Sequence, residues 1–258
     1  MKRRVFLNCL GGTGLMALSP GLTFPAGTSP YDRLLILIEL KGGNDGLNTV
    51  VPFADPDYRT LRPQIGVRRD EVLQISDRMG FHPSLQALLP LWKARELAVL
   101  QGVGYPNPNL SHFRSIEIWD TASKSDQFLS QGWLARSFLL VPSPATFAAD
   151  AVIVGSQDMG PMTGGGRVVA LSNPQQFERM ARLAEGGGAS GGGPLAYIQR
   201  VESDIRHAAV KLNGQGPAFN FKTEFPQGGF GNTVRTACQV LGSGAEVAVL
   251  RLTLSGFD

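Results

Sequence analysis

The sequence predicts a three-layer α/β/α domain with a mostly parallel central sheet, and two kinds of segment support this prediction. Short, nearly continuous runs of Val, Leu and Ile, bounded by Gly, Pro or Asn, are typical of strands buried on both faces. Segments with apolar residues at helical spacing lie between these runs. Because parallel strands need long crossover connections, this alternation favours a parallel sheet covered by helices.

Strand and helix segments alternate along most of the chain. The predicted strands are residues 34–40, 97–103, 151–154, 168–171 and 247–254. The predicted helices are residues 84–95, 113–121, 174–185, 195–212 and 233–241. Residues 185–194 are rich in Gly, which predicts a flexible surface loop between two helices, with a lid hinge as the alternative.

Composition and charge exclude several classes of protein. The 258 residues are 43% hydrophobic and 17% charged, which fits a soluble domain and neither a disordered chain nor a membrane bundle. The net charge is only +3 and the basic residues form no stripe, so no nucleic acid is expected as a partner. Of the two cysteines, Cys9 lies in the N-terminal segment, so Cys238 has no disulfide partner in the mature chain.

Residues 1–29 have the pattern of a twin-arginine signal peptide. Lys2, Arg3 and Arg4 precede an apolar stretch that is diluted by glycines. The alternative is an amphipathic helix, which those glycines and Pro20 would interrupt. The expected partner is the twin-arginine export machinery, and residues 30–258 form the expected α/β domain. No later segment has the ~18 apolar residues of a membrane helix, so we expect a periplasmic or extracellular protein without stable membrane insertion.

Three polar clusters directly follow predicted strands, and they supply the candidate site residues. They are residues 42–48, 104–115 and 255–258. Because ligands bind outside the carboxyl ends of strands in open α/β sheets, the three clusters are expected to converge at one edge. In the first, Asp45 between glycines suits close approach of a metal, although Asn-Asp-Gly is equally a tight turn.

The second cluster combines a hydroxyl, an imidazole and a guanidinium. Ser111 stands directly before a predicted helix, where it is either a cap or a group beside a bound anion. His112 is a possible base or metal ligand, or a structural histidine. Arg114 is able to hold an anionic group with two parallel hydrogen bonds. The catalytic candidates are Ser111 and His112, and the predicted substrate-binding residues are Asn44, Asn48, Asn109 and Arg114.

These residues resemble the domain-of-unknown-function 1501 family, whose members typically carry twin-arginine signals and belong by fold with the alkaline phosphatase and sulfatase-like superfamily. The resemblance lies in residues 42–52, 80–85, 104–109, 111–115 and 256–258. It implies an alkaline phosphatase-like fold, with Asp45 as the first metal ligand, Ser111 as the nucleophile and Asp258 as a further metal ligand. In that family Gly-Phe-Asp usually continues into Thr-His, and an Asp-His-Gly segment follows later. This chain stops at Asp258, so we expect it to be C-terminally truncated, with an incomplete fold, and inactive.

The expected function is that of an exported metal-dependent hydrolase of phosphate or sulfate esters. A divalent metal would activate Ser111 or a water molecule, and Arg114 would hold the anionic ester. The alternative is a non-catalytic exported or cell-surface binding protein with a degenerate site.

Overall fold

The computed structural model describes residues 31–171, 221–222, 224–242 and 244–257. Within these ranges four parallel strands form the main sheet, and three short antiparallel strands form a second sheet. In chain order the strands are β1 (Leu35–Gly42), β2 (Val50–Val51), β3 (Leu73–Gln74), β4 (Gly80–Phe81), β5 (Ala149–Val154), β6 (Val168–Leu171) and β7 (Val247–Phe257). The strand order is β1-β7-β5-β6 in the main sheet and β2-β4-β3 in the second. An α/β fold with a mostly parallel sheet is therefore confirmed.

The helices of the described ranges are short except for the last. They are α1 (Gly46–Thr49), α2 (Pro56–Leu61), α3 (Leu89–Lys93), α4 (His112–Thr121), α5 (Trp133–Leu140) and α6 (Gly229–Gly242), with 3-10 helices at Pro83–Leu88 and Gly160–Met162. None of the helices in these ranges is both long and apolar enough to cross a membrane.

The core of the main sheet lies between β5, β6, β7 and α6. Every residue of β5 is buried, as are the first six of β7, because each of these strands has a neighbour on both sides. Leu250 and Leu252 share a buried cluster with Ala237 and Val240 of α6. Burial of such side chains contributes about 1.5–3 kcal/mol each, so this cluster holds α6 on the sheet.

The prediction that the first strand is buried on both faces is wrong. Among the described residues, β1 lies at the edge of the sheet and pairs only with β7. Ile36 and Ile38 of β1 are 48% and 53% exposed. An apolar run predicts burial on both faces only when other elements cover both, and the local sequence does not specify that cover.

The predicted strand at residues 97–103 is absent. This segment has no regular secondary structure, and Leu100 and Val103 are 83% and 61% exposed. A strand forms only where a neighbour supplies ladder hydrogen bonds, and this segment pairs with no strand of the described sheets. The segment follows Arg95, which has a left-handed backbone with φ of 61°.

The predicted helix at residues 84–95 is divided into two shorter elements. It consists of the 3-10 helix Pro83–Leu88 followed by α3, and the backbone at Leu85 is non-helical. Pro90 has no N–H to donate, which favours a new helix start at that point. The signal segment 1–29, the helices at 174–185 and 195–212, and the loop 185–194 lie outside the described residues.

Candidate functional site

The three polar clusters meet at the carboxyl ends of β1 and β7, as predicted. The backbone N–H of Gly43 donates to the carbonyl of Phe257 at 2.8 Å. A Cβ placed on Gly43 would lie 3.3 Å from that carbonyl oxygen and 4.0 Å from Cε1 of His112. The absence of a side chain at Gly43 therefore lets the β1 loop approach the end of β7 closely, while the start of α4 lies at ordinary contact distance.

Asp45 shapes the turn after β1. It is the N-cap of α1, and its carboxylate accepts a hydrogen bond from the backbone N–H of Asn48 at 3.2 Å. The same carboxylate forms an ion pair with the Nη1 of Arg62 at 2.5 Å. The hydrogen bond from Arg62 is the main cause that lowers the pKa of Asp45 below its usual value. Asp45 thus has the turn geometry that was the alternative to metal binding.

The two predicted asparagines of the β1 loop make hydrogen bonds within the loop region. The Nδ2 of Asn48 donates to the carbonyl of Ile65 at 2.8 Å, and its Oδ1 accepts from the hydroxyl of Tyr58 at 2.7 Å. The Oδ1 of Asn44 accepts from the hydroxyl of Thr49 at 3.3 Å. These contacts order the loop around α1, and substrate binding by either residue stays a prediction.

Ser111 occupies the N-cap position of α4, but its hydroxyl makes no capping hydrogen bond. The predicted position is confirmed, while the predicted capping bond is absent. Instead, the Oδ1 of Asn109 accepts from the backbone N–H of Ser111 at 2.8 Å. The exposed hydroxyl of Ser111 and the exposed His112 lie at the same helix start. This start is the part of the predicted site where polar groups face solvent.

The guanidinium of Arg114 is directed away from the start of α4, where an anion is predicted to bind. Its Nη2 donates to the carbonyl of Gln127 at 2.7 Å and to that of Ser125 at 3.3 Å. Its Nη1 lies 2.8 Å from a carboxylate oxygen of Glu117, and the guanidinium stacks 3.8 Å from the ring centroid of Phe128. These contacts of Arg114 therefore stabilise the loop after α4.

The described residues do not fit a two-metal hydrolytic centre. Such a centre needs several carboxylates and imidazoles around the cations. Among the residues that the structure describes, no group of three His, Cys, Asp or Glu is arranged to hold a metal. The carboxylate of Asp45 already binds a guanidinium. Asp258 lies outside the described residues, so its predicted role as a metal ligand stays a prediction.

A cluster of charges around Arg251 of the main sheet was missed by the sequence reasoning. Arg251 of β7 is fully buried and forms an ion pair with Glu39 of β1, and it also donates to the carbonyl of Asp158. Lys41 of β1 forms an ion pair with the carboxylate of Asp158. The signal that could have found this cluster is the charged residue within each of two apolar runs.

Asp120, on α4, is the fifth member of this charge cluster. Burial is the main cause that raises its pKa to about 6, with Glu39 and Asp158 adding to the rise and Arg251 and Lys41 opposing it. A carboxyl group with such a pKa changes its charge near neutral pH. It is therefore suited to a pH-dependent binding or proton-transfer role.

Among the cavities lined by the described residues, a larger and a smaller one adjoin the main sheet. The larger has a volume of about 610 Å³ and lies between β1 and the C-terminal half of α4, with Glu39, Tyr105, Trp119, Asp120 and Trp133 among its lining residues. The smaller has a volume of about 480 Å³ and lies at the carboxyl ends of β5, β6 and β7, beside the start of α6. The larger volume is in the range of small-molecule sites.

No family model, no curated protein and no solved structure matches this chain. The family resemblance in the sequence therefore stays a prediction.

Proposed function

We propose that the protein is an exported, non-catalytic binding protein whose site at the strand ends takes a small phosphate or sulfate ester. The proposed architecture is an alkaline phosphatase-like three-layer fold that keeps the position of the hydrolytic site without its metal centre. The observation that carries this proposal is the Asp45–Arg62 ion pair at 2.5 Å.

The ion pair bears directly on metal binding. The resemblance in the sequence implies that Asp45 is the first metal ligand. Here a guanidinium contacts the Oδ2 of that carboxylate, and the backbone N–H of Asn48 donates to the Oδ1. A divalent cation would have to displace Arg62 from a charge-assisted hydrogen bond before it reached Asp45.

The start of α4 has donor groups that favour binding of an anionic ligand. The first turn of a helix presents backbone N–H groups without intrahelical acceptors, and the helix dipole favours negative charge there. Ser111 adds a hydroxyl that makes no capping bond, and His112 lies close to the β1 loop. Hydroxyl and N–H donors around one point are suited to the oxygens of a phosphate or sulfate group.

The test compares binding with hydrolysis, using p-nitrophenyl phosphate and p-nitrophenyl sulfate. We expect calorimetry to detect binding of at least one ester and p-nitrophenol release to be absent with or without added Zn²⁺, Mg²⁺ or Mn²⁺. Ser111→Ala should weaken binding about fivefold, consistent with loss of one hydrogen bond. The exposed Ser130 provides the matched control, Ser130→Ala, which should bind as the wild type does.

Two outcomes would overturn the proposal. Metal-dependent release of p-nitrophenol that is lost in Asp45→Asn would establish the hydrolase instead. If neither ester bound, the proposed anion-binding site would be ruled out.

Export by the twin-arginine route is proposed from the sequence and is tested separately. Residues 1–29 are fused to a folded reporter protein, and its location is compared with that of a fusion carrying Arg3→Lys and Arg4→Lys together. We expect the first reporter to leave the cytoplasm and the second to remain, because the adjacent arginines define this signal class. Equal export of both fusions would contradict the proposed route.

A further inference from the structure

We propose that the cavity between β1 and the C-terminal half of α4 is a second binding site, and that it takes a small organic ammonium ion. The cavity is lined by aromatic side chains and by two carboxyl groups. It is distinct from the proposed ester site, which lies at the strand ends and at the start of α4.

The walls of the cavity suit an organic cation. Trp119, Trp133 and Tyr105 line it, together with the apolar side chains of Leu37 and Ile118. Aromatic faces attract ammonium groups through the ring quadrupole, and the attraction is greatest where water is excluded. The volume of about 610 Å³ accommodates a small organic molecule.

The charges around the cavity leave one carboxylate uncompensated. Glu39 forms an ion pair with Arg251, and Asp158 forms one with Lys41. In the described part of the chain, no ion pair or hydrogen bond involves the carboxyl group of Asp120. When Asp120 is ionised, the cluster therefore holds three negative and two positive charges. A bound monovalent cation would balance it.

The protonation of Asp120 makes this site pH-dependent. Burial, then the negative charges of Glu39 and Asp158, raise the pKa of Asp120 to about 6, while Arg251 and Lys41 oppose the rise. Below that pH the carboxyl group is neutral and attracts a cation weakly. Above it the carboxylate is charged, so an ammonium ion should bind more tightly.

The first experiment compares choline with 3,3-dimethylbutan-1-ol, which has the same shape and no charge. Binding is measured by tryptophan fluorescence, because Trp119 and Trp133 line the cavity while Trp92 packs against Phe81 elsewhere. We expect choline to bind at least fivefold more tightly than the alcohol near pH 8. We also expect choline to bind about tenfold more weakly near pH 5, because Asp120 is then largely protonated. A smaller preference for choline, no pH dependence, or no binding would overturn the proposal.

Single-residue variants test whether choline binds in this cavity. Asp120→Asn keeps the shape of the side chain and removes the charge, so it should abolish the pH dependence and weaken choline binding about tenfold at pH 8. Asp126→Asn makes the same change at an exposed position outside the cavity and should leave choline binding unaltered. Trp119→Leu should also weaken binding, and because Trp119 is 54% exposed this variant should fold. Equal binding by Asp120→Asn and the wild type would place choline elsewhere.

Discussion

At the scale of residues, the buried charge of Arg251 makes the stability of the main sheet depend on its polar partners. Arg251 is 0% exposed, and its guanidinium is held by Glu39 and by the loop at Asp158. Burying a charge is costly unless it is paired and hydrogen-bonded, so these partners are required for the fold. Removing one partner leaves the other charge buried and unpaired.

Replacement of Arg251 by Met should destabilise the protein strongly. We expect the free energy of unfolding, measured in urea, to fall by about 3–5 kcal/mol, because Glu39 loses its cation. The double variant Arg251→Met with Glu39→Leu should recover most of that loss, since neither member of this ion pair is then left without the other. Arg68→Met breaks an exposed pair with Asp70 and should leave stability nearly unchanged, because solvent screens an exposed ion pair. If Arg251→Met and Arg68→Met lowered the free energy of unfolding equally, breaking a buried ion pair would be no more costly than breaking an exposed one, and the prediction would be wrong.

The raised pKa of Asp120 predicts a pH-dependent effect of Asp120→Asn on stability. Because burial raises this pKa from 3.8 to about 6, the folded protein binds more protons than the unfolded chain between these values. Stability from this group is therefore lost as pH rises from about 4 to 6. After allowance for partial solvent screening, Asp120→Asn should be more stable than the wild type by about 1 kcal/mol at pH 7.5 and equal to it near pH 4. The free energy of unfolding is measured by urea denaturation at both pH values. If Asp120→Asn were stabilised at pH 4 as much as at pH 7.5, the raised pKa of Asp120 would be contradicted.

At the scale of elements, close backbone contacts position the helices beside the sheet. α5 begins after Gly132, whose backbone N–H donates to the carbonyl of Thr163 at 2.9 Å. A Cβ on Gly132 would lie 2.1 Å from the carbonyl oxygen of Pro161 in the 3-10 helix Gly160–Met162. The conformation of Gly132, with φ of −65°, is open to any residue, so the requirement for glycine is purely one of space.

Gly132→Ala should therefore separate α5 from the 3-10 helix. The obstacle is backbone and not a flexible side chain, so we expect a loss of about 2 kcal/mol or more in thermal or urea unfolding. Gly46→Ala is the matched control, because nothing lies within 4 Å of its added Cβ, and it should alter stability by at most ~0.5 kcal/mol. A Gly132→Ala variant as stable as the control would show that the two elements have room to move apart.

At the scale of the whole molecule, β7 lies near the end of the described chain but in the centre of the main sheet, beside β1 from the beginning of the described chain. β7 pairs with β1 on one side and with β5 on the other. Leu35 of β1 is the register partner of Val249, so the sheet depends on contacts between residues far apart in the chain. Such pairing requires closure of a long loop before it contributes to stability.

Two truncations test this dependence. A chain that ends at residue 246 lacks β7, and we expect it to lose cooperative unfolding, because β1 and β5 lose the strand between them. A chain that begins at residue 30 should keep the cooperative transition, since residues from Leu35 onward form one compact unit. Thermal unfolding followed by circular dichroism distinguishes the two. Cooperative melting of the first truncation would contradict the central role of β7.

Local sequence patterns by themselves determined many of the elements. The apolar runs at 34–40, 151–154, 168–171 and 247–254 coincide with strands of the main sheet. The helix predicted at 113–121 coincides with α4, which begins one residue earlier. These features depend on residues close together in the chain, so pattern and capping rules were sufficient to predict them.

The tertiary structure alone decided which segments and side chains became partners. It left residues 97–103 outside the sheet, placed β1 at the edge, and turned Arg114 toward the carbonyls of the loop after α4. It also paired Asp45 with Arg62 and gathered Glu39, Asp120 and Arg251 near one cavity. Strand order and ion pairing depend on segments that are distant in sequence, and their free energies appear only once the chain has brought those segments together.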